Sequence, residues 1–144
     1  MDGFNFTTQV RVRNFEVDWQ GIVHNANYLL YFEVGRIEYL RHAGIKVSME
    51  TITGDSKIVV ARNEVDYISS AVFDELLDVY TRVSKIGNTS FTFEGVILES
   101  VTQRLVSKNT SVHVWLDHIT DKPMRVPDAF RTRIKEIEEG IGII

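Results

Sequence analysis

The chain has 144 residues, of which 44% are hydrophobic and 25% are charged, a globular composition that excludes collagen-like, low-complexity and disordered classes. Sixteen Lys and Arg against twenty Asp and Glu give a net charge of -4, so the chain lacks the positive field that holds nucleic acid. The absence of cysteine excludes disulfides, thiolate nucleophiles and Cys-based zinc sites. We therefore expect one domain spanning residues 1–144, whose chemistry uses oxygen or imidazole groups.

The location also follows from the sequence as an expectation. No stretch approaches the roughly 18 consecutive apolar residues that span a bilayer. The first ten residues, MDGFNFTTQV, lack the basic and apolar regions of a signal peptide. We expect a cytoplasmic protein without a membrane span.

The first half of the chain predicts one strand and one long helix. Apolar and polar residues alternate from Phe6 to Arg13, a period of two that is typical of a half-buried strand. The run NYLLYFEVGRIEYLRHAG then predicts a helix with Asn25 or Asn27 as its N-cap and Gly44 as its stop. Its first turns are apolar almost all round, which indicates burial on several sides, and Gly35 indicates close backbone packing.

The second half is mostly strands. Residues 57–67 and 77–84 predict two of them, and Ile86-Gly87-Asn88 indicates a hairpin turn into a strand that carries Phe91 to Ile97. A last strand covers residues 110–116, and Pro127 opens a short helix that reaches about residue 139. The order β-α-β-β-β-β-α predicts an α+β fold with an antiparallel sheet.

The segment between the first strand and the long helix, DWQGIVHNANYLLYFEVGR, holds the densest cluster of special residues. A helix N-terminus has unpaired backbone N–H groups and partial positive charge, so it can hold a developing oxyanion. Asp18 is the only carboxylate in the link before the helix, where it could attack a substrate or deprotonate water. The alternative interpretation is structural, since an Asp before a Gly commonly closes an Asx turn.

These residues resemble a known family, the hotdog-fold acyl-CoA thioesterases of the 4-hydroxybenzoyl-CoA thioesterase and YbgC-like type. The family signature is roughly Asp-x-x-Gly-x-Val-x-Asn-x-x-Tyr-x-x-Tyr/Phe-x-Glu-x-Gly/Ala-Arg. It is met at Asp18, Gly21, Val23, Asn25, Tyr28, Tyr31, Phe32, Glu33, Gly35 and Arg36. The resemblance extends over the whole chain, through the stretches NEVDYISSAVFDELLDVYTRV, SFTFEGVIL and MRVPDAFRTRI.

The resemblance implies a single hotdog domain, in which a curled antiparallel sheet wraps a long buried helix and a short C-terminal helix follows. It implies a homodimer with acyl-thioester sites at the subunit interface, and a tetramer built from two dimers. By resemblance Asp18 is the catalytic carboxylate and the Asn25 backbone N–H polarises the thioester carbonyl, while Gly21, His24 and Tyr28 are substrate-binding residues. Glu33 and Arg36, spaced i,i+3, are interpreted as an intrahelical ion pair.

Several alternatives remain open at this point. Asp18 could act as a nucleophile or as a general base, and the acyl group could be carried by coenzyme A or by an acyl carrier protein. An acyl-thioester hydratase or dehydratase is a rival function, as is a non-catalytic acyl-thioester-binding protein. No metal is predicted, and no cofactor is expected beyond the coenzyme A of the substrate.

Overall fold

The computed structural model describes residues 1–45, 56–139 and 142–143. Its elements in chain order are β1 (Thr7–Arg11), α1 (Asn25–His42), β2 (Ser56–Tyr67), β3 (Leu76–Ile86), β4 (Ser90–Glu99), β5 (Leu105–Asp117), α2 (Asp128–Ile137) and β6 (Gly142–Ile143). The predicted order is confirmed, and the structure adds the two-residue β6 and a short 3-10 turn at Asn14–Glu16.

The strands form one sheet in the order β1-β3-β4-β5-β2, with every neighbouring pair antiparallel. β6 adds to the far end of β3 in a parallel pair. β2 lies at one edge of this sheet, and within the described residues it pairs only with β5. Its apolar side chains at Ile58, Val59 and Val60 are 36%, 38% and 51% exposed.

Helix α1 lies against the sheet at a glycine. A Cβ atom placed on Gly35 would come within 2.6 Å of the Thr81 Oγ1 atom and 2.7 Å of the Val79 Cγ1 atom, both on β3. Such distances are too short for a real Cβ, so the backbone of α1 approaches β3 more closely than any other residue type would allow. The predicted close packing at Gly35 is confirmed.

The expectation that α1 is buried on several sides is only partly met. Tyr28, Tyr31 and Phe32 are buried, whereas Leu30 and Val34 are 53% and 42% exposed. Since the sheet covers one side of the helix, the apolar residues on its other side stay open in the single chain.

The core has two parts along the helix. One part packs under the first half of α1 and consists of Val12, Val23, Tyr28, Tyr31, Phe32, Ala71, Leu77, Val79, Ile97 and Val106. The other packs between the second half of α1 and α2 and consists of Tyr39, Ala43, Val83, Ile86, Phe91, Phe93, Trp115, Val126, Phe130 and Ile134. The helix is therefore the element around which both parts form.

Strand β5 turns a mostly polar face toward the interior. Asn109, Ser111 and His113 are buried, while the apolar residues that alternate with them are only half-buried. Arg36 reaches this face and donates a hydrogen bond of 3.3 Å to the Asn109 Oδ1 atom. The predicted direct ion pair between Arg36 and Glu33 does not form within the described chain, where the guanidinium points to β5 instead, although Glu33 still acts on Arg36 electrostatically.

A curled antiparallel sheet around one long helix, followed by a short helix, is the α+β hotdog arrangement, so the predicted fold class is confirmed. Among the described residues, no helix is both long enough and apolar enough to cross a membrane.

Candidate active site

A tight turn places Asp18. Val17 and Val23 form an isolated antiparallel bridge, and between them the Asp18 N–H donates to the Ile22 carbonyl at 2.8 Å and the Gly21 N–H donates to the Asp18 carbonyl at 3.0 Å. Gly21 has a φ of +82°, a left-handed conformation that other residues rarely adopt. The turn therefore fixes the backbone of Asp18 with respect to the start of α1.

The Asp18 carboxylate is half-buried and closes an Asx turn, because its Oδ1 atom accepts a hydrogen bond of 2.8 Å from the Gln20 N–H. Within the part of the chain that the structure describes, the Oδ2 atom has no hydrogen-bond partner. The structural role that the sequence allows is therefore present, and it leaves one carboxylate oxygen available.

The N-terminus of α1 is capped by His24, not by Asn25 or Asn27, so the predicted cap is wrong. The His24 Nδ1 atom accepts a hydrogen bond of 3.2 Å from the Ala26 N–H. Asn27 instead donates from its side-chain amide to the Glu16 carbonyl at 2.8 Å, and the His24 N–H donates to the same carbonyl at 3.0 Å. Both bonds tie the helix start to the segment that leads into Asp18.

One backbone donor remains at this helix start. Ala26 is bonded to the His24 ring, and the Asn27 N–H donates to the His24 carbonyl at 2.9 Å. The Asn25 N–H has no hydrogen-bond partner among residues 1–45, 56–139 and 142–143. It is therefore a free donor at the positive end of the helix dipole.

The opposite wall comes from the segment after β2. The Tyr28 hydroxyl accepts a hydrogen bond of 3.0 Å from the Ala71 N–H, and burial raises the pKa of Tyr28. Tyr67 donates from its hydroxyl to the Asn25 carbonyl at 3.4 Å. These contacts join α1 to residues that lie about forty positions later in the sequence.

Arg104 stabilises the loop that forms this wall. Its guanidinium donates to the Ser69 Oγ atom at 3.2 Å, to the Ser70 carbonyl at 3.1 Å and to both oxygens of the Glu75 carboxylate at 3.0 and 3.1 Å. The carboxylate of Glu75 also accepts from the Val72 N–H at 2.8 Å. The loop from residue 69 to residue 75 is therefore fixed at several points.

Together these segments enclose a cleft of about 370 Å³. It is lined by Asp18, Gln20, Ile22, Val23, His24, Asn25, Tyr28, Tyr67, Ile68, Ser69 and Ser70. Four of the five predicted site residues line it, and Gly21, the fifth, shapes the turn behind it. Sequence reasoning missed residues 67–70, because neither their spacing nor their composition marks them as part of a site.

The described residues contain no group of three or more His, Asp or Glu side chains that could hold a metal ion. Among the described residues, the cleft combines a carboxylate oxygen and a backbone N–H that have no hydrogen-bond partner with an imidazole, and the first two can serve as base or nucleophile and as oxyanion donor in acyl transfer.

Comparisons with known proteins agree with this arrangement. The sequence model of the thioesterase-like superfamily matches residues 12–134. The acyl-CoA thioesterase YbgC of Haemophilus influenzae is 32% identical over 128 residues, which cover 88% of this chain and 90% of that protein.

Solved structures lead to the same family. A Thermus thermophilus thioesterase solved with coenzyme A and zinc is 31% identical, covers 96% of this chain and 98% of its own, and superposes with a TM-score of 0.81. The 1,4-dihydroxy-2-naphthoyl-CoA thioesterase Slr0204 of Synechocystis superposes with a TM-score of 0.85 at 17% identity, covering 92% of this chain and 96% of its own, and therefore shares the fold. The chain belongs to the thioesterase-like superfamily, as a hotdog-fold thioester hydrolase of the YbgC-like type.

Proposed function

We propose that the protein hydrolyses acyl-CoA thioesters in the cleft between the Asp18 turn and residues 67–70. The observation that carries this proposal is that two groups line one cleft, the Asp18 carboxylate and the Asn25 N–H. Among the described residues, one Asp18 oxygen and the Asn25 N–H have no hydrogen-bond partner. A base or nucleophile facing an oxyanion donor is the minimum that thioester hydrolysis needs.

In the proposed reaction the thioester carbonyl oxygen accepts a hydrogen bond from the Asn25 N–H. Asp18 then either removes a proton from water as the water attacks the carbonyl carbon, or attacks that carbon itself to form a mixed anhydride that water hydrolyses. In both routes the carbon–sulfur bond breaks, the water oxygen ends in the free acid, and a proton reaches the leaving thiolate. Asp18 is regenerated, and the products are a free acid and coenzyme A.

Coenzyme A is favoured over an acyl carrier protein as the carrier of the acyl group. The relative from Haemophilus influenzae is named for acyl-CoA, and the Thermus thermophilus structure contains coenzyme A. The rival hydratase function is less well supported, because such enzymes usually pair a carboxylate with a His. No hydrogen bond joins Asp18 to His24 within the described chain, and the His24 Nδ1 atom is already used by the helix cap.

We further propose that two copies form a homodimer, and two dimers a tetramer. Support for the dimer comes from the apolar residues that the single chain leaves open on the edge strand β2 and on the outer side of α1, which include Val60 and Leu30 at 51% and 53% exposure. An unpaired apolar edge strand is a template for pairing with another chain. The cytoplasmic location stays a prediction of the sequence.

The test is thiol release from a panel of aromatic and aliphatic acyl-CoAs, measured with a thiol reagent that finds no cysteine in the protein itself. We expect native protein to release thiol and Asp18→Asn to be slower by about 10²- to 10⁴-fold. Asp2→Asn, which removes the same charge at an exposed position, is the matched control and should retain native turnover.

Three outcomes would count against the proposal. If the Asp18→Asn variant hydrolyses acyl-CoA at the native rate, Asp18 has no catalytic role. Thermal stabilisation by acyl-CoA without thiol release would indicate a binding protein, and loss of an enoyl-CoA chromophore without thiol release would indicate a hydratase.

A further inference from the structure

The side chain of Tyr67 connects the two walls of the cleft, which run antiparallel to each other. Near one end of the walls, the Val23 N–H donates to the Ala71 carbonyl at 2.9 Å. Nearer the other end, the Tyr67 hydroxyl donates to the Asn25 carbonyl at 3.4 Å. Since Tyr67 is the last residue of β2 and Asn25 is the first residue of α1, this side chain spans the cleft from the strand end to the helix start.

A second contact holds the ring of Tyr67. Its centroid lies 5.5 Å from the centroid of the Tyr28 ring, at an interplanar angle of 67°, an edge-to-face arrangement that aromatic pairs favour. Both rings line the cleft, yet Tyr67 is 54% exposed whereas Tyr28 is buried. Tyr67 is therefore fixed at its hydroxyl and at its ring without belonging to the core, and its ring forms part of the cleft surface.

Tyr67 lies close to the atoms that are proposed to act on the thioester. Its hydroxyl is bonded to the carbonyl of Asn25, and the N–H of the same residue is the proposed oxyanion donor. A group attached to the thioester carbonyl carbon therefore comes within reach of the ring. The neighbours of Tyr67 in the cleft lining include the apolar side chain of Ile68 and the ring of Tyr28, which suit an acyl chain better than the polar arm of coenzyme A.

The surface next to Tyr67 along β2 is also apolar. Val65 lies two residues earlier, so its side chain is on the same face of the strand, about 7 Å away. It packs against the part of the core under the first half of α1. Removal of the Tyr67 ring would therefore extend the cleft toward Val65.

We propose that Tyr67 is a specificity-determining residue, whose ring ends the acyl part of the cleft and limits the size of the acyl group that is hydrolysed. This inference rests on the proposed thioester hydrolysis and names a residue that selects among its substrates. Acyl groups that stop short of the ring fit the native cleft, and longer ones meet the ring. Tyr67 takes no part in bond making or proton transfer.

Two substitutions separate the ring from the hydroxyl. Tyr67→Val removes both and keeps a residue that strands favour, whereas Tyr67→Phe removes only the hydrogen bond to Asn25. For the longest acyl-CoAs relative to the shortest, we expect kcat/KM in Tyr67→Val to rise by about tenfold or more, because one methylene in an apolar pocket is worth about 10- to 200-fold. Tyr67→Phe keeps the ring, so the native order of preference among acyl groups should persist at whatever rate the variant has.

The measurements are kcat/KM for straight-chain acyl-CoAs of increasing length and for benzoyl-CoA, together with the melting temperature, for native protein and both variants. If Tyr67→Val changes kcat/KM by the same factor for every acyl-CoA, Tyr67 does not select the acyl group, and the inference fails while the proposed function stands. A shift in preference that is equally large in Tyr67→Phe would assign the effect to the hydrogen bond and would also overturn the inference. Absence of hydrolysis by the native protein across the series would overturn the proposed function and this inference with it.

Discussion

The hydrogen bond between Tyr28 and Ala71 joins the helix start to the opposite wall of the cleft. We therefore expect its removal to lower the stability of the protein. Tyr28→Phe removes the hydroxyl oxygen that accepts from the Ala71 N–H at 3.0 Å and keeps the ring that packs in the core. Ala71 is fully buried, so its N–H would be left without an acceptor.

The magnitude follows from the cost of an unsatisfied buried donor, which is about 1–3 kcal/mol. Because the phenyl ring is retained, no cavity term is added beyond the lost oxygen. We expect a loss of about 2 kcal/mol in the free energy of unfolding and a fall of about 6 °C in melting temperature for a domain of this size. Activity should fall as well, since residues 69 and 70 lie beside Ala71 in the cleft wall.

Tyr31 provides the matched control, one helical turn further on. Its hydroxyl is buried and has no hydrogen bond of normal geometry among the described residues, although burial and the nearby Glu16 carboxylate raise its pKa. Because it removes a buried hydroxyl that has no normal hydrogen bond, Tyr31→Phe should not lower the free energy of unfolding. The test is urea unfolding of both variants. If Tyr28→Phe lowers the free energy of unfolding no more than Tyr31→Phe does, the hydrogen bond to Ala71 does not stabilise the cleft wall.

Three further predictions concern stability and mobility. Burial and the nearby Arg36 lower the pKa of His113 to about 4. Below pH 6.5 the unfolded chain therefore binds more protons than the folded one. The free energy of unfolding should drop by roughly 2 kcal/mol from pH 7 to pH 5. In urea unfolding at both pH values, His113→Gln should remove this part of the drop, and an unchanged drop would contradict the assigned cause. Gly35→Ala gains about 1 kcal/mol of helix propensity. Its added Cβ atom would meet β3 at less than 3 Å, which costs about 1–3 kcal/mol through overpacking. Urea unfolding should therefore show net destabilisation, and a more stable variant would refute the close approach. Arg104→Met should speed amide hydrogen exchange in residues 69–75, and unchanged exchange would show that Glu75 and Arg104 do not fix that loop.

The elements of the fold were predictable from the sequence because they depend on local patterns. The period of two from Phe6 to Arg13 predicted β1 near its observed bounds. Gly44 was predicted to stop α1, and it follows the C-cap residue Ala43 with a φ of +80°. Pro127 was expected at the first helical position but lies one residue earlier, as the N-cap of α2.

The errors arose where tertiary contacts override local preference. Asn25 and Asn27 have better intrinsic N-cap propensity than His24, yet the Asn27 side chain is used by the Glu16 carbonyl. Arg36 was expected to pair along the helix, but burial brings it to Asn109 on β5. In both cases the partner lies on another segment of the chain, so the spacing within one segment carries no information about it.

The site was predictable on one side only. The signature residues lie within 19 consecutive positions, so a linear pattern could find Asp18, Asn25 and Tyr28 together, with His24 between them. The other wall, residues 67–70, is brought to the helix start by strand pairing across the sheet and by contacts to Tyr28 and Asn25. No pattern within the sequence of that wall distinguishes it from an ordinary strand end.

The Asx turn at Asp18 is compatible with both the structural and the proposed catalytic interpretation of this residue, because the two do not compete. A carboxylate with both oxygens hydrogen-bonded would be a weaker base and nucleophile, since those bonds stabilise its charged form. One without any fixed bond would lose side-chain entropy each time it aligned with substrate. In this cleft the Oδ1 atom accepts from the Gln20 N–H, and the Oδ2 atom has no partner among the described residues. The Asx turn that gives Asp18 a structural role would therefore also orient its carboxylate for the proposed reaction.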